Sequence, residues 1–197
     1  MTPSSILGPD GKRRCAWCTS DPFYLQYHDL EWGRPVRDER AIFEKICLEG
    51  FQAGLSWLTI LKKREAFRAA FQDFDPEVVA RFTKRDINRL MKDASIVRNR
   101  MKIDSTINNA RATLRMAEAG ESLSALVWSN QPKKRSSPPR SLSYVPAVTA
   151  ESAALSKALL ARGFTFVGPT TLYAAMQSLG VVNDHVASCH RSFIKKT

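Results

Sequence analysis

Residues 83–103 have the sequence TKRDINRLMKDASIVRNRMKI, and this stretch decides the fold class. Thr83 and Asp86 have the spacing of a capping box ahead of apolar residues at helical intervals, so a short helix is expected to begin there. Residues 94–97 then predict a turn, and a second helix is expected from about Asn99. The stretch therefore predicts two helices joined by a short hairpin.

Helical periodicity continues on both sides of this hairpin. Capping residues, apolar repeats and closing glycines predict further helices over residues 38–50, 55–71, 103–120, 151–162 and 171–179, and a helix that begins at Asp75-Pro76. Runs of alternating polar and apolar residues are scarce, and the chain has no internal repeat. The fold is therefore predicted to be all-α.

Two segments are expected to lie outside the packed core. Residues 1–12 are rich in proline, glycine and serine and predict a disordered tail, which leaves residues 13–197 as a single domain. Residues 130–143 combine three prolines with four basic residues and predict a flexible basic loop without packed structure. No apolar secretory signal precedes Arg14, so an intracellular protein is expected.

Positive charge is concentrated around the hairpin. The chain has 30 Lys and Arg residues against 19 Asp and Glu residues, a formal net charge of +11. Ten of the basic residues but only three of the acidic ones lie in residues 81–115. Such clustering is typical of a protein that neutralises phosphates, and the amides of a helix's first turn can bind a phosphate oxygen. A nucleic acid is the predicted partner; the alternative is an ordinary solvated basic face.

Metal-ligating residue types occur near both ends of the chain. They are Cys15, Cys18, His28, His185, Cys189 and His190. His185 and Cys189 have i, i+4 spacing, so two ligands from each end would complete a closed Cys2His2 zinc site. A redox-active Cys15–Cys18 pair and simply buried thiols are the alternatives at this point.

Aromatic residues cluster around one acid. The aromatic residues are Trp17, Phe23, Tyr24, Tyr27, Trp32, Phe51 and Trp57. Glu49 lies among them, between an apolar helix face and the glycines Gly50 and Gly54. A buried carboxylate without a partner costs several kcal/mol, so Glu49 is expected to have a protein partner or to bind a ligand. A planar cationic ligand would suit aromatic faces beside a carboxylate.

Several longer motifs resemble those of the DNA-3-methyladenine glycosylase I family of bacterial alkylation-repair enzymes. They are Tyr27-His28-Asp29, Glu31-Trp32-Gly33, residues 48–57, Leu61-Lys62-Lys63-Arg64-Glu65, Arg98 with Arg100, Lys102 and Ile103, Gly163-Phe164, Phe166-Val167-Gly168 and Val182-Asn183-Asp184-His185. The resemblance extends from Arg14 to about His190. It implies a two-lobed helix-hairpin-helix glycosylase fold, with the helix-hairpin-helix element at about residues 83–115.

The resemblance also implies the roles of individual residues. A structural zinc ion would be held by Cys15, His28, His185 and Cys189, joining the N- and C-terminal regions. The base pocket would comprise Glu49, Tyr27, Trp57, Trp17, Tyr24 and Trp32, with Glu49 recognising the adenine edge rather than activating water. DNA contacts would come from Gly54, Leu55, Ser95, Arg98, Arg100 and Lys102, although ordinary helix packing is the alternative for Leu55. The family usually has glycine at the position of Ser95, where a positive φ would add about 1 kcal/mol of strain.

The activity implied is hydrolysis of the glycosidic bond of 3-methyladenine in double-stranded alkylated DNA by a monofunctional glycosylase that leaves an abasic site. Methylation makes the purine cationic and weakens that bond, so extrusion and stacking of the base need little acid catalysis. Free 3-methyladenine would be the product, and a cytoplasmic, nucleoid-associated monomer without membrane contact is expected. The alternatives are a zinc-containing DNA-binding protein without catalytic activity and a thiol oxidoreductase that uses Cys15 and Cys18.

Overall fold

The computed structural model describes residues 3–18, 21–133 and 137–192. Within these ranges the helices are α1 (Pro22–Leu30), α2 (Glu39–Gln52), α3 (Trp57–Ala70), α4 (Pro76–Val79), α5 (Lys84–Lys92), α6 (Arg100–Glu118), α7 (Leu123–Ser129), α8 (Ala150–Ala161) and α9 (Pro169–Ser178). Short 3-10 turns occur at Ala16–Cys18, Gln72–Phe74 and Leu142–Tyr144. The prediction of a mostly helical fold is confirmed. None of the described helices combines the length and the apolarity needed to cross a membrane.

Side-chain caps begin several of these helices where the sequence predicts them. Asp38 accepts a hydrogen bond from the Ala41 amide at the start of α2. The capping box of Thr83 and Asp86 is formed at the start of α5, and Asn99 caps α6. Because each cap satisfies amides that would otherwise lack partners, the local sequence is sufficient to place these helix starts.

Helix α2 lies at the centre of the core. It packs against α3, α6, α7 and α9, and Phe43, Leu48 and Phe51 on it are fully buried. Glu49 therefore belongs to a helix that is held on several sides, which fixes its backbone before any ligand binds.

The N-terminal segment differs from the prediction of a disordered tail. Strand β1 (Ser5–Leu7) pairs antiparallel with strand β2 (Arg13–Cys15). Gly11 adopts a φ of +75° in the connecting turn, and Asp10 forms an ion pair with Arg14. Composition was misleading because the residue types of a tight turn are also those of a disordered tail. Met1 and Thr2 lie outside the described residues.

Helices α1 and α7 were not predicted. Asp21 caps α1 and Pro22 occupies its first turn, while Ser122 caps the seven-residue α7. Helix α2 also continues to Gln52, past the predicted stop at Gly50. Short helices with few apolar repeats give little periodic signal, because their stability comes mainly from tertiary packing.

The predicted flexible loop at residues 130–143 is packed in part. The Ala187 amide donates to the Pro139 carbonyl at 2.9 Å, and Leu142 packs beside Cys15 and Cys189. The prediction of no packed structure is therefore wrong at these positions, because Leu142 finds an apolar surface that the sequence did not reveal. Lys134, Arg135 and Ser136 lie outside the described residues.

The α5–α6 hairpin accommodates Ser95 without a left-handed backbone. Ser95 is absent from the described non-glycine residues with positive φ, and its amide donates to the Asp93 carboxylate at 2.9 Å. Lys63 donates to the carbonyls of Ala94 and Ser95 at 3.2 and 2.8 Å. The concern that serine strains this turn is therefore wrong.

Replacing Ser95 by glycine should consequently not stabilise the protein. Glycine would lose the serine hydroxyl and gain freedom in the unfolded chain, so the free energy of unfolding should fall by about 0.5–1 kcal/mol. Urea denaturation of the two proteins measures this difference. A more stable Ser95→Gly variant would contradict the observed backbone conformation.

Candidate active site

A cavity of about 400 Å³ lies beside α2 and collects the predicted pocket residues. Its lining comprises Trp17, Tyr24, Tyr27, Trp32, Glu49, Gln52, Trp57, Leu142, Val145, Ala174, Gln177 and Asp184. All six residues expected to form the base pocket are therefore brought together from four parts of the chain.

The aromatic side chains form the walls of this cavity. Trp17 meets Tyr24 and Trp32 edge to face, with ring centroids 5.4 and 5.1 Å apart. Tyr27 lies 5.5 Å from Trp57 in a tilted arrangement. Because these rings are held by one another, the cavity offers preformed π faces to a planar ligand.

Contacts between elements hold the walls in place. The Leu58 amide, in the first turn of α3, donates to the Tyr24 hydroxyl at 3.0 Å. The Trp57 indole nitrogen is buried and has no hydrogen-bond partner among the described residues. The hydrogen bond to Tyr24 fixes α1 against α3. The Trp57 indole is left as a donor for which the described residues provide no acceptor.

Glu49 is the buried acid of the site. Its side chain lines the cavity, the residue is only 5% exposed, and within the described ranges it forms no hydrogen bond or ion pair. Burial raises the pKa of Glu49 to about 7, while the positive charge of Lys45 opposes the rise. A buried carboxylate with unused acceptor capacity indicates a ligand that donates hydrogen bonds.

Asp184 adds a second carboxylate, to which sequence analysis assigned no role. It accepts hydrogen bonds from the Tyr173 hydroxyl at 2.6 Å and from the Gln177 amide at 2.8 Å. Its place in the motif Val182–His185 was visible in the sequence, but its orientation toward the cavity was not. Both hydrogen bonds reach the Oδ2 atom and hold the carboxylate against the cavity wall, while Oδ1 has no hydrogen-bond partner among the described residues.

Three of the four predicted metal ligands also come together, and the fourth, His185, lies beside one of them. The ligand atoms of Cys15, His28 and Cys189 lie within 4.8 Å of one another, and the Cys189 sulfur is 3.4 Å from the His28 Nε2 atom. The rings of His28 and His185 are 4.7 Å apart. His185 Nε2 is buried without a partner in the described structure, while its Nδ1 contacts the Asn183 side-chain oxygen at 3.0 Å. The buried, unpaired nitrogen of His185 next to the His28 ring suits the fourth ligand of a closed tetrahedral site.

An outer group orients His28. Its Nδ1 atom lies 2.8 Å from the Asp29 carboxylate, which also pairs with Arg14 at 2.7 Å. His190 contacts the same carboxylate at 3.0 Å. A carboxylate behind a ligating histidine is the usual way in which a metal site fixes the tautomer of its ligand.

Cys18 has the environment of an unreactive thiol. Its Sγ donates to the Cys15 carbonyl at 3.1 Å, and burial raises its pKa to about 12. A nucleophilic or redox-active thiol requires a lowered pKa, so these contacts oppose the oxidoreductase alternative.

The cluster of predicted metal ligands (Cys15, His28, His185 and Cys189) lies directly behind the aromatic cavity. The Trp32 ring is 4.5 Å from the His185 ring, and the Trp17 ring is 5.4 Å from the His28 ring. The two tryptophans therefore line the cavity with one part of the side chain and pack against the ligands with another. Loss of order in the cluster would disturb the cavity wall.

The residues expected to contact DNA occupy different environments. Leu55 is 42% exposed, and Gly54 has a φ of +80° with open space at its Cβ position. Arg98 is exposed, and Arg100 pairs with Asp104 at 2.8 Å on the surface. These four positions remain accessible to a large ligand.

Lys102 does not follow the prediction of a direct DNA contact. The residue is only 8% exposed, and its ammonium donates to the carbonyls of Phe51 and Ala53 at 2.8 and 2.6 Å. These carbonyls lie at the C-terminal end of α2, where a cation is favourable. Lys102 therefore ties the hairpin helix α6 to the end of the helix that carries Glu49.

Comparison with protein families identifies the origin of this arrangement. A family described as methyladenine glycosylase matches residues 17–192. The chain belongs to the methyladenine glycosylase family. The matched residues include the aromatic cavity, Glu49, the hairpin and three of the four predicted metal ligands; Cys15 precedes them.

The relatives of this chain are similar to it over almost their full length. It is 52% identical to DNA-3-methyladenine glycosylase 1 of Escherichia coli strain K12, over 89% of this chain and 95% of the relative. It is 48% identical to DNA-3-methyladenine glycosylase of Haemophilus influenzae, over 89% and 96%. A solved structure of a point variant of 3-methyladenine DNA glycosylase I in complex with 3-methyladenine is 40% identical, covers 93% of this chain and 99% of that chain, and superposes with a TM-score of 0.86.

Proposed function

We propose that this protein is a DNA base-excision repair enzyme, a monofunctional N-glycosylase that hydrolyses the glycosidic bond of 3-methyladenine in alkylated DNA and leaves an abasic site. One observation carries the proposal: the carboxylate of Glu49, which makes no hydrogen bond or ion pair with the described residues, faces a preformed aromatic cavity in a chain whose relatives are named for this activity.

The chemistry of the substrate explains why this cavity is sufficient. A 3-methylated purine carries positive charge while it is attached to deoxyribose, and it departs as a neutral base. Tyr27 and Trp57 supply aromatic faces that attract the cation, and ionised Glu49 accepts hydrogen bonds from the adenine amino edge. The protein thus extrudes, stacks and holds the base, and water attacks the sugar carbon without strong acid catalysis. Glu49 acts in base recognition rather than as the base that activates water.

The surface around the cavity suits double-stranded DNA. The helix-hairpin-helix element formed by α5 and α6 presents Ser95, Arg98 and Arg100 near phosphates. The turn of Gly54 and Leu55 enters the gap left by the extruded nucleotide, as apolar wedges do in other DNA-bending proteins. The protein acts as a monomer at the bacterial nucleoid, where its substrate lies.

We further infer that Cys15, His28, His185 and Cys189 hold a structural zinc ion. The buried unpaired His185 nitrogen and the proximity of the other three ligand atoms support this set. Four protein ligands leave no open position, so the ion supplies folding energy and takes no part in glycosidic hydrolysis.

Incubation with methylated duplex DNA tests the proposed activity. Chromatography should detect free 3-methyladenine, and the DNA strand should break only after alkali treatment because the product is an abasic site. DNA binding without base release would instead identify the alternative, a zinc-containing binding protein that lacks catalytic activity.

A further inference from the structure

Lys45 places a positive charge against the aromatic wall of the cavity. Its ammonium lies 4.9 Å from the centroid of the Tyr27 ring and 4.4 Å from that of the Trp57 ring. It also donates to the Tyr27 hydroxyl at 3.3 Å. Lys45 precedes Glu49 by four residues on α2, so the two side chains share one face of that helix.

The other charges near Lys45 are already paired. Glu31 forms two hydrogen bonds with Arg64, at 2.5 and 2.9 Å, and Glu44 pairs with Arg68 at 2.9 Å. Lys45 has no ion-pair partner within 4.0 Å among the described residues. In the part of the chain that the structure describes, neither Lys45 nor Glu49 is neutralised by an ion pair within 4.0 Å.

Charged and titratable groups lie near Glu49 on several elements packed against α2. They are Glu44 and Lys45 on α2 itself, Tyr27 and Glu31 from α1 and its end, Arg64 from α3, Lys102 from α6, Tyr173 from α9, and Asp184 beyond α9. Tyr173 donates to Asp184, and Arg64 is held by Glu31. Lys102 donates to the carbonyls of Phe51 and Ala53. Lys45, which has no ion-pair partner among the described residues, shares the helix face of Glu49.

We propose that Lys45 is a positioning residue that favours the ionised form of Glu49, and thereby maintains the cavity as an acceptor for the amino edge of the base. The part that concerns the ligand rests on the proposed function; the electrostatic coupling of Lys45 and Glu49 does not. Lys45 acts through its charge and its place behind the two rings, without touching the base.

Burial of Glu49 and recognition of the base favour different protonation states of its carboxyl group. Burial favours the protonated, neutral form of Glu49, which would present a donor where the amino group of adenine needs an acceptor. The Lys45 charge opposes this effect. Burial also lowers the pKa of Lys45 to about 8, which leaves its amine mostly protonated at neutral pH.

Titration of the two side chains by NMR tests the coupling directly. In Lys45→Met the midpoint of the Glu49 carboxyl carbon should move up by about one pH unit or more, whereas Lys45→Arg should stay near the wild type. Lys157→Met, which removes an exposed lysine from α8, is the matched control and should leave the midpoint unchanged. An unmoved Glu49 midpoint in Lys45→Met overturns the proposal.

Reciprocity supplies a second measurement should Lys45→Met fail to fold. Because coupling between two titrating groups is mutual, Glu49→Gln should lower the pH at which the Lys45 amine loses its proton. An unchanged Lys45 titration in that variant also overturns the proposal.

Binding of free 3-methyladenine then links the coupling to recognition. Calorimetry across pH should show that affinity is lost as pH falls, and that this loss begins at higher pH in Lys45→Met than in the wild type or in Lys157→Met. The titration of the ligand itself is common to all variants, so it cancels in the comparison. A coincident pH dependence overturns the role of Lys45 in recognition. Absence of 3-methyladenine binding at every pH, with the NMR coupling intact, would defeat the proposed function instead.

Discussion

Removal of the proposed zinc ion should lower the melting temperature of this protein by about 10 °C or more. The four proposed ligands join residues from both ends of the chain, and without an ion two thiols and two imidazoles remain buried together. Structural zinc sites contribute several kcal/mol to folding, and each kcal/mol corresponds to about 2–4 °C in a chain of this size. Calorimetry before and after exhaustive chelation measures the difference, and atomic emission gives the metal content.

Single substitutions separate the ligands from their neighbours. Cys15→Ser and His185→Ala should each lose the bound zinc and show the lower melting temperature. Cys18→Ser is the matched control, since the Cys18 sulfur is outside the proposed ligand set and donates to a backbone carbonyl, and it should retain one zinc ion. Equal melting curves with and without chelator, or a protein purified without metal, would contradict the zinc proposal while leaving the cavity intact.

Replacing Glu49 by glutamine should weaken the binding of free 3-methyladenine by about 1 to 3 kcal/mol, a factor of about 5 to 150 in Kd. The substitution keeps the shape of the side chain but removes its charge and converts one acceptor into a donor. Calorimetric titration at pH 8, where the wild-type carboxylate is ionised, measures the effect. Glu118→Gln, at an exposed position near the end of α6, is the control and should bind as the wild type does. An unchanged affinity in Glu49→Gln would remove this residue from the binding site.

Although Glu49→Gln should weaken ligand binding, it should also remove a loss of stability that the wild-type protein shows as pH rises. Burial raises the pKa of Glu49 to about 7 from its ordinary value of 4.5, so between these values the folded protein binds more protons than the unfolded chain. The contribution of this group is therefore fully present below pH 4.5 and is lost as pH rises to about 7. In Glu49→Gln this decline should be absent, which urea denaturation at several pH values would reveal. Such a result would identify Glu49 as a residue kept for binding at a cost in stability.

The sequence motifs did not predict which way the Lys102 side chain points. Its position beside Arg98 and Arg100 in a basic stretch suggests a phosphate contact, and the residue types alone do not separate the three. In the folded chain Arg98 and Arg100 are exposed, whereas Lys102 faces inward and binds carbonyls at the end of α2. The direction of a side chain depends on which helix face is covered, and for a helix in a basic stretch that choice is made by distant residues.

The N-terminal hairpin shows a related difficulty. Ser5–Leu7 has no strong strand signal by itself, and its partner Arg13–Cys15 is also only three residues long. Pairing is favoured because β2 leads into Cys15 and its buried cluster, and because Arg14 binds both Asp10 and Asp29. An isolated two-stranded hairpin is marginal in water, so the surrounding contacts decide whether it forms.

By itself the sequence determined the features that depend on neighbouring residues or on residue chemistry. The caps at Asp38, Thr83 and Asn99, the helical periods and the basic hairpin are local, and the types of the candidate ligands and pocket residues identified the family. Tertiary structure alone decided that Glu49 forms no direct hydrogen bond or ion pair with the described residues, that Lys45 lies against Tyr27 and Trp57, and that Asp184 joins the cavity. These properties depend on contacts between residues far apart in the chain. The effects of burial and charge depend on distances in space, and local sequence patterns do not encode those distances.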